Sequence, residues 1–67
     1  MHKISKGDYI YFVDGDYEYE ARVLGINADN IMLVEHADKD GNLCKRIFGG
    51  LYGKMPDITS VSRKKSS

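Results

Sequence analysis

The stretch KGDYIYFVDGDYEYEARVLGI, residues 6–26, decides the reading of this chain. Two alternating runs flank Asp14-Gly15-Asp16, and the segment holds four of the chain's five tyrosines. Asp-Gly between alternating runs is a strong two-residue hairpin signal. A turn at Asp14-Gly15 opposes Val13 to Asp16, Phe12 to Tyr17, Tyr11 to Glu18, Ile10 to Tyr19 and Tyr9 to Glu20. Residues directly opposite share a face. One face then carries Ile10, Phe12, Tyr17, Tyr19, Ala21 and Val23. The other carries Tyr9, Tyr11, Glu18, Glu20 and Arg22. This apolar–polar division is what a half-buried antiparallel pair requires, and a one-residue slip would destroy it. The register divides the tyrosines too. Tyr17 and Tyr19 are expected in the core with their hydroxyls at the rim. Tyr9 and Tyr11 are expected on the outer face, opposite glutamates.

Turn signals continue along the chain. Gly25 allows a bend, and residues 27–30, NADN, read as a turn. Residues 31–36 form the most apolar run and are expected as a central strand. Residues 38–42, DKDGN, turn the chain back into a strand over residues 43–48. A two-residue turn at Asp40-Gly41 opposes Glu35 to Arg46; a three-residue turn with a bulge opposes Glu35 to Lys45. Either gives a cross-strand ion pair, so charge does not choose. Three glycines within residues 49–53 argue against a regular strand there, leaving room for one helical turn near residues 50–54. Residues 55–58 open a last short edge strand, with Ile58 and Val61 packing. The expectation is all-β: a small barrel of four or five antiparallel strands over residues 1–61. Residues 62–67 are expected as a disordered basic tail.

Sixty-seven residues make one domain, and a core this small is marginal. The usual reinforcements are disulfides, a metal or oligomerisation. Cys44 is the single cysteine, which excludes an internal disulfide and fits a reducing cytoplasm. Cys44, His2 and His36 lack the spacing of a metal-ligand pair. No metal or cofactor is expected, which leaves a compact, well-packed core or self-association as a homodimer. No run approaches the length of a membrane span, and the N-terminus lacks a secretory core. The expectation is a soluble, cytoplasmic protein. Ten basic and ten acidic residues balance, unlike the basic excess usual in proteins that live on phosphate backbone. The distribution is uneven. Residues 8–20 hold five acids and no base, whereas Lys54, Arg63, Lys64 and Lys65 crowd the C-terminal end against Asp57.

Residues 6–26 resemble the opening hairpin of small SH3-like barrels, especially Tudor-type and KOW-type domains. The resemblance rests on Gly7, Asp8, Ile10 and Phe12, then Tyr19, Ala21 and Val23, about a third of the chain. It implies a fold more than a function, because such barrels host unrelated binding tasks. Tudor-type readers hold methylated side chains in an aromatic cage. The matching positions here are Glu18 and the inward Tyr19, and methyl-side-chain reading is not carried over. The KOW-type likeness implies ribosomal, RNA or RNA-polymerase partners, although those domains are usually more basic.

Two constellations compete as binding sites. Tyr9, Tyr11, Glu18, Glu20 and Arg22 make an acidic, aromatic face. Tyrosine is favoured in recognition surfaces, and such a face suits a basic protein partner better than a phosphate backbone. The plainer account is cross-strand packing of good strand formers. Lys45, Arg46, Phe48, Tyr52 and Lys54 make the rival. Basic residues interleaved with aromatics clamp phosphates and stack bases, and the nearby glycines permit close approach. The plainer account is a strand end and a solvated loop. DKDGN fails as a calcium loop, since His36 and Ile47 fall where acids are needed. Cys44 opposite His36 is read as a small buried thiol beside a rim histidine rather than an activated nucleophile. The preferred function is therefore a non-enzymatic protein-binding module, an adaptor or inhibitor. An RNA- or DNA-binding module is the alternative.

Overall fold

The structure, a computed structural model, describes residues 4–63. Five strands follow in order: β1 (Tyr9–Asp14), β2 (Tyr17–Ile26), β3 (Met32–Ala37), β4 (Leu43–Phe48) and β5 (Asp57–Ser62). A 3-10 turn, Gly50–Tyr52, lies between β4 and β5. The strands form one antiparallel sheet in the order β4-β3-β2-β1-β5. β3 is therefore interior, but the central strand is β2. Among the described residues no helix is long and apolar enough to cross a membrane. β5 takes in Ser62, which pairs with Tyr9; residues 64–67 of the expected tail lie outside the described residues.

The first hairpin differs from the expected register by two residues. Asp14 opposes Tyr17, so the turn is Gly15-Asp16, not Asp14-Gly15. Gly15 has φ +64° at the first central position, where a type II′ turn requires a positive value. A shift of two preserves which residues share a face. What it changes is reach. Ile10 now opposes Ala21 and Phe12 opposes Tyr19, while Val23 N–H donates to the Asp8 carbonyl at 2.8 Å. The expected register would have set Val23 against Lys6, beyond the apolar run. The observed one keeps Ile10, Phe12, Ala21 and Val23 together.

Tyr17 is the casualty. It shares the inner parity but lies past Phe12 at the strand end and is 51% exposed, so it is not a core residue. Tyr19 is half-buried and packs on the core as expected.

The second hairpin takes the three-residue turn. Glu35 opposes Lys45 and His36 opposes Cys44. Asp38 holds the turn by accepting from the Asp40 and Asn42 backbone N–H groups through Oδ1, both at 2.9 Å. Gly41 supplies the positive φ of +84°.

The core is Ile10, Phe12, Ala21, Val23, Met32 and Val34, all on the inner face of β1, β2 and β3. Ile26, Phe48, Ile58 and Val61 pack against it. Two bulges make this possible. One, at Leu24, separates the pairs Val23–Val34 and Gly25–Leu33. The other, at Thr59, separates Tyr11–Ser60 from Phe12–Ile58. Each adds a residue and bends its strand. The sheet curls accordingly. Phe48 on β4 brings its ring to 5.5 Å from that of Phe12 on β1, although two strands lie between them. Arg46 on β4 reaches Asp14 at the end of β1, at 2.7 Å. Among the described residues no ladder joins β4 to β5.

Candidate functional site

The curled sheet has a packed inner face and a wetter outer face. Tyr9, Tyr11, Glu18, Glu20 and Arg22 all fall on the outer face, as the alternation requires. Their neighbours differ from expectation because of the two-residue shift. Tyr11 opposes Glu20 rather than Glu18, and its hydroxyl donates to Glu20 Oε2 at 2.9 Å. Tyr9 opposes Arg22, and Glu18 opposes Val13. Both Tyr9 and Tyr11 are half-buried rather than open.

β5 adds residues to this face that the sequence reading passed over. Asp57 opposes Val13, and Thr59 donates through its hydroxyl to Glu18 Oε2 at 2.8 Å. The corner where β5, β1 and β2 meet therefore collects Asp57, Glu18 and Glu20 around Tyr11 and Val13. Ile58 points inward, so Thr59 after it points outward to Glu18, and the bulge there returns Val61 to the inner face. The bulge's one trace in the sequence is the odd spacing of Ile58 and Val61, three apart and both packing. A continuous row then crosses all five strands: Ser62, Tyr9, Arg22, Glu35 and Lys45. Beside it is a shallow hollow of about 330 Å³ that includes Tyr9, Glu20, Arg22, Glu35 and Leu43.

The rival basic-aromatic constellation is not brought together. Alternation in β4 sends Lys45 to the outer face and Arg46 and Phe48 to the inner one. The Arg46 guanidinium is held by Asp14 and lies 5.9 Å from the Phe12 ring centre and 5.8 Å from that of Tyr19. Phe48 packs against the core. Tyr52 is exposed on the 3-10 turn, and Lys54 is exposed beyond it. A charged partner thus meets Lys45 from one side of the sheet and Arg46 from the other.

His36 is buried, 3% exposed, and its Nδ1 lies 2.9 Å from the Ala37 carbonyl, which fixes that nitrogen as the donor. Its Nε2 faces Cys44 Sγ at 3.5 Å. The Phe12 and Tyr19 rings flank the imidazole at 5.5 and 4.7 Å. The histidine is a core residue rather than the rim residue expected, and the thiol beside it is half-buried rather than buried. Among the described residues no three His, Cys, Asp or Glu side chains are grouped to hold a metal; His2 lies outside them.

No protein-family model matches this chain, and no curated protein or solved structure matches it.

Proposed function

We propose that this chain is a non-enzymatic protein-binding module, an SH3-like barrel acting as adaptor or inhibitor in the cytoplasm. Its binding surface is the outer face of β5, β1 and β2, and its partner presents a basic surface. The observation that carries the reading is the gathering of Asp57, Glu18 and Glu20 around Tyr11 and Val13 on one sheet face. Tyrosine rings supply rigid contact area, and the Tyr11–Glu20 bond restricts both side chains before a partner arrives. The surrounding carboxylates attract cations at range and favour basic partners over nucleic acid. The five short strands and their curl support the SH3-like reading of the fold.

The test is isothermal titration of a short lysine- and arginine-rich peptide at rising salt. Binding is expected, weakening as salt screens the carboxylates and weakening again in Tyr11→Ala and in Glu18→Gln with Asp57→Asn. Absence of binding, or binding indifferent to salt, would overturn the proposal. Retention of nucleic acid on a filter, lost in Lys45→Ala with Arg46→Ala, would favour the alternative instead.

A further inference from the structure

The outer face has a second half that the acidic corner does not use. On β3, β4 and the 3-10 turn it carries exposed apolar side chains on either side of Glu35 and Lys45, which oppose each other. Leu43 is 71% exposed and Ile47 42%, and both point outward from β4 on either side of Lys45. Next to Ile47 is a groove of about 330 Å³ lined by Ile26, Ile31, Leu33, Ile47 and Tyr52. Leu51, beside Tyr52 on the 3-10 turn, stands fully exposed. The chain holds that leucine out by unusual backbone: Gly49 and Gly53 bracket the turn with φ +99° and +122°, joined by a 2.8 Å hydrogen bond from Gly49 N–H to the Gly53 carbonyl. β4 also ends the sheet. It pairs with β3 on one side, and among the described residues no strand pairs with its other side.

An open edge flanked by apolar side chains is a template for an added strand. The first occupant to consider is a second copy of the chain. Two antiparallel registers overlap nearly all of β4 and keep outer residues on the outer face. One sets Lys45 opposite its own copy, and the other sets Arg46 opposite its own copy. Each opposes like charges, which destabilises a strand pair. An edge lysine is a common device against such self-pairing. The same lysine favours a strand with an acid at that position.

We propose that the β4 edge binds an extended segment of a partner protein, in which an acidic residue opposite Lys45 is flanked on the same face by two apolar residues. These meet Leu43 and Ile47 from the free side of β4. Backbone hydrogen bonds to β4 supply register, and Lys45 selects the acid. The β4 edge and the β5 side of the acidic corner lie at opposite ends of the strand order, and although Leu43 and Glu20 line one hollow, Tyr11→Ala and Lys45→Glu tell the two proposals apart.

The probe is a phage-displayed library of random peptides panned on the intact protein. Enriched sequences are expected to show apolar–x–acid–x–apolar spacing. In labelled protein, a synthetic peptide of that consensus is expected to shift the backbone amides of β4. Lys45→Glu is exposed and its folding is checked by circular dichroism. It is expected to weaken the peptide about three- to tenfold, and a peptide with lysine in place of the acid is expected to regain that loss. Tyr11→Ala is expected to leave peptide binding unchanged. Failure to enrich any sequence, a consensus without the acid, or shifts confined to β1 and β2 would overturn the proposal. So would sedimentation showing a dimer that Leu43→Lys or Ile47→Lys dissociates.

Discussion

Replacing Gly49 by alanine tests how the 3-10 turn is fastened to the sheet. Two separate costs apply. At φ +99° and ψ 161° the backbone lies in a region essentially restricted to glycine, where strain is about 1–3 kcal/mol. A Cβ at Gly49 would also run into the carbonyl oxygen of Asn30 and crowd Ile31 Cα, both backbone atoms that cannot swing aside. Overpacking of that kind costs about 1–3 kcal/mol more. Gly53 supplies the control. Its φ +122° and ψ 173° fall in the same region, but an added Cβ meets nothing within 4 Å. Gly53→Ala therefore carries the strain alone, and Gly49→Ala carries strain plus collision. In urea unfolding followed by circular dichroism, Gly53→Ala is expected to lose about 1–3 kcal/mol. Gly49→Ala is expected to lose at least about 1 kcal/mol beyond that. Since a core this small supplies only about 3–5 kcal/mol, Gly49→Ala is expected to be largely unfolded without denaturant. Equal midpoints for the two variants would refute the collision and with it the close packing of Gly49 on the 27–31 loop.

Other substitutions probe separate parts of the structure. Phe12→Ala removes the largest fully buried ring and its contacts with Tyr19, His36 and Phe48; a loss of about 3–5 kcal/mol is expected, read as collapse of the thermal transition. Asp8→Ala leaves the Ser5 N–H without the carboxylate that accepts it at 2.9 Å, at an expected cost of about 1–3 kcal/mol in chemical denaturation. Arg46→Ala breaks a half-exposed ion pair with Asp14, so its cost is expected near 1 kcal/mol, partly salt-dependent when unfolding is repeated at high ionic strength. Asn27→Ala strips the acceptor for the Asp29 and Ile31 N–H groups; a loss of about 1 kcal/mol and faster amide exchange at Ile31 are expected.

The alternation of residues 9–13 and 17–23 was enough to name both faces of the first hairpin, because apolar side chains recur at the two-residue period of a strand. That same period hides a slip of two. Asp14-Gly15 and Gly15-Asp16 give identical faces, so the sequence could not show that Tyr17 lies beyond the core or that Tyr11 meets Glu20. The second hairpin was open for a different reason, since both Lys45 and Arg46 offer a cation to Glu35. Its turn settles the matter locally, with Asp38 gripping two backbone N–H groups and Gly41 taking positive φ. The site was half legible. Its five residues share a face by parity, but Asp57 and Thr59 join them across a ladder that pairs opposite ends of the chain. The separation of Lys45 from Arg46 follows from alternation within β4. Reading residues 45–54 as a cluster of types conceals it.

The two bulges bear on how this chain tolerates changes of length. Val23 and Ile26 are three apart yet face the same way, and so are Ile58 and Val61. Leu24 and Thr59 absorb the odd step. Deleting either would leave every inward residue inward, with one fewer residue in its strand. A deletion farther along β2 or β5, away from the bulge and the residue beside it, would invert the faces beyond it. Each strand thus carries one position where its phase can be reset, and Leu24 and Thr59 are where a shorter version of this chain would keep the same interior.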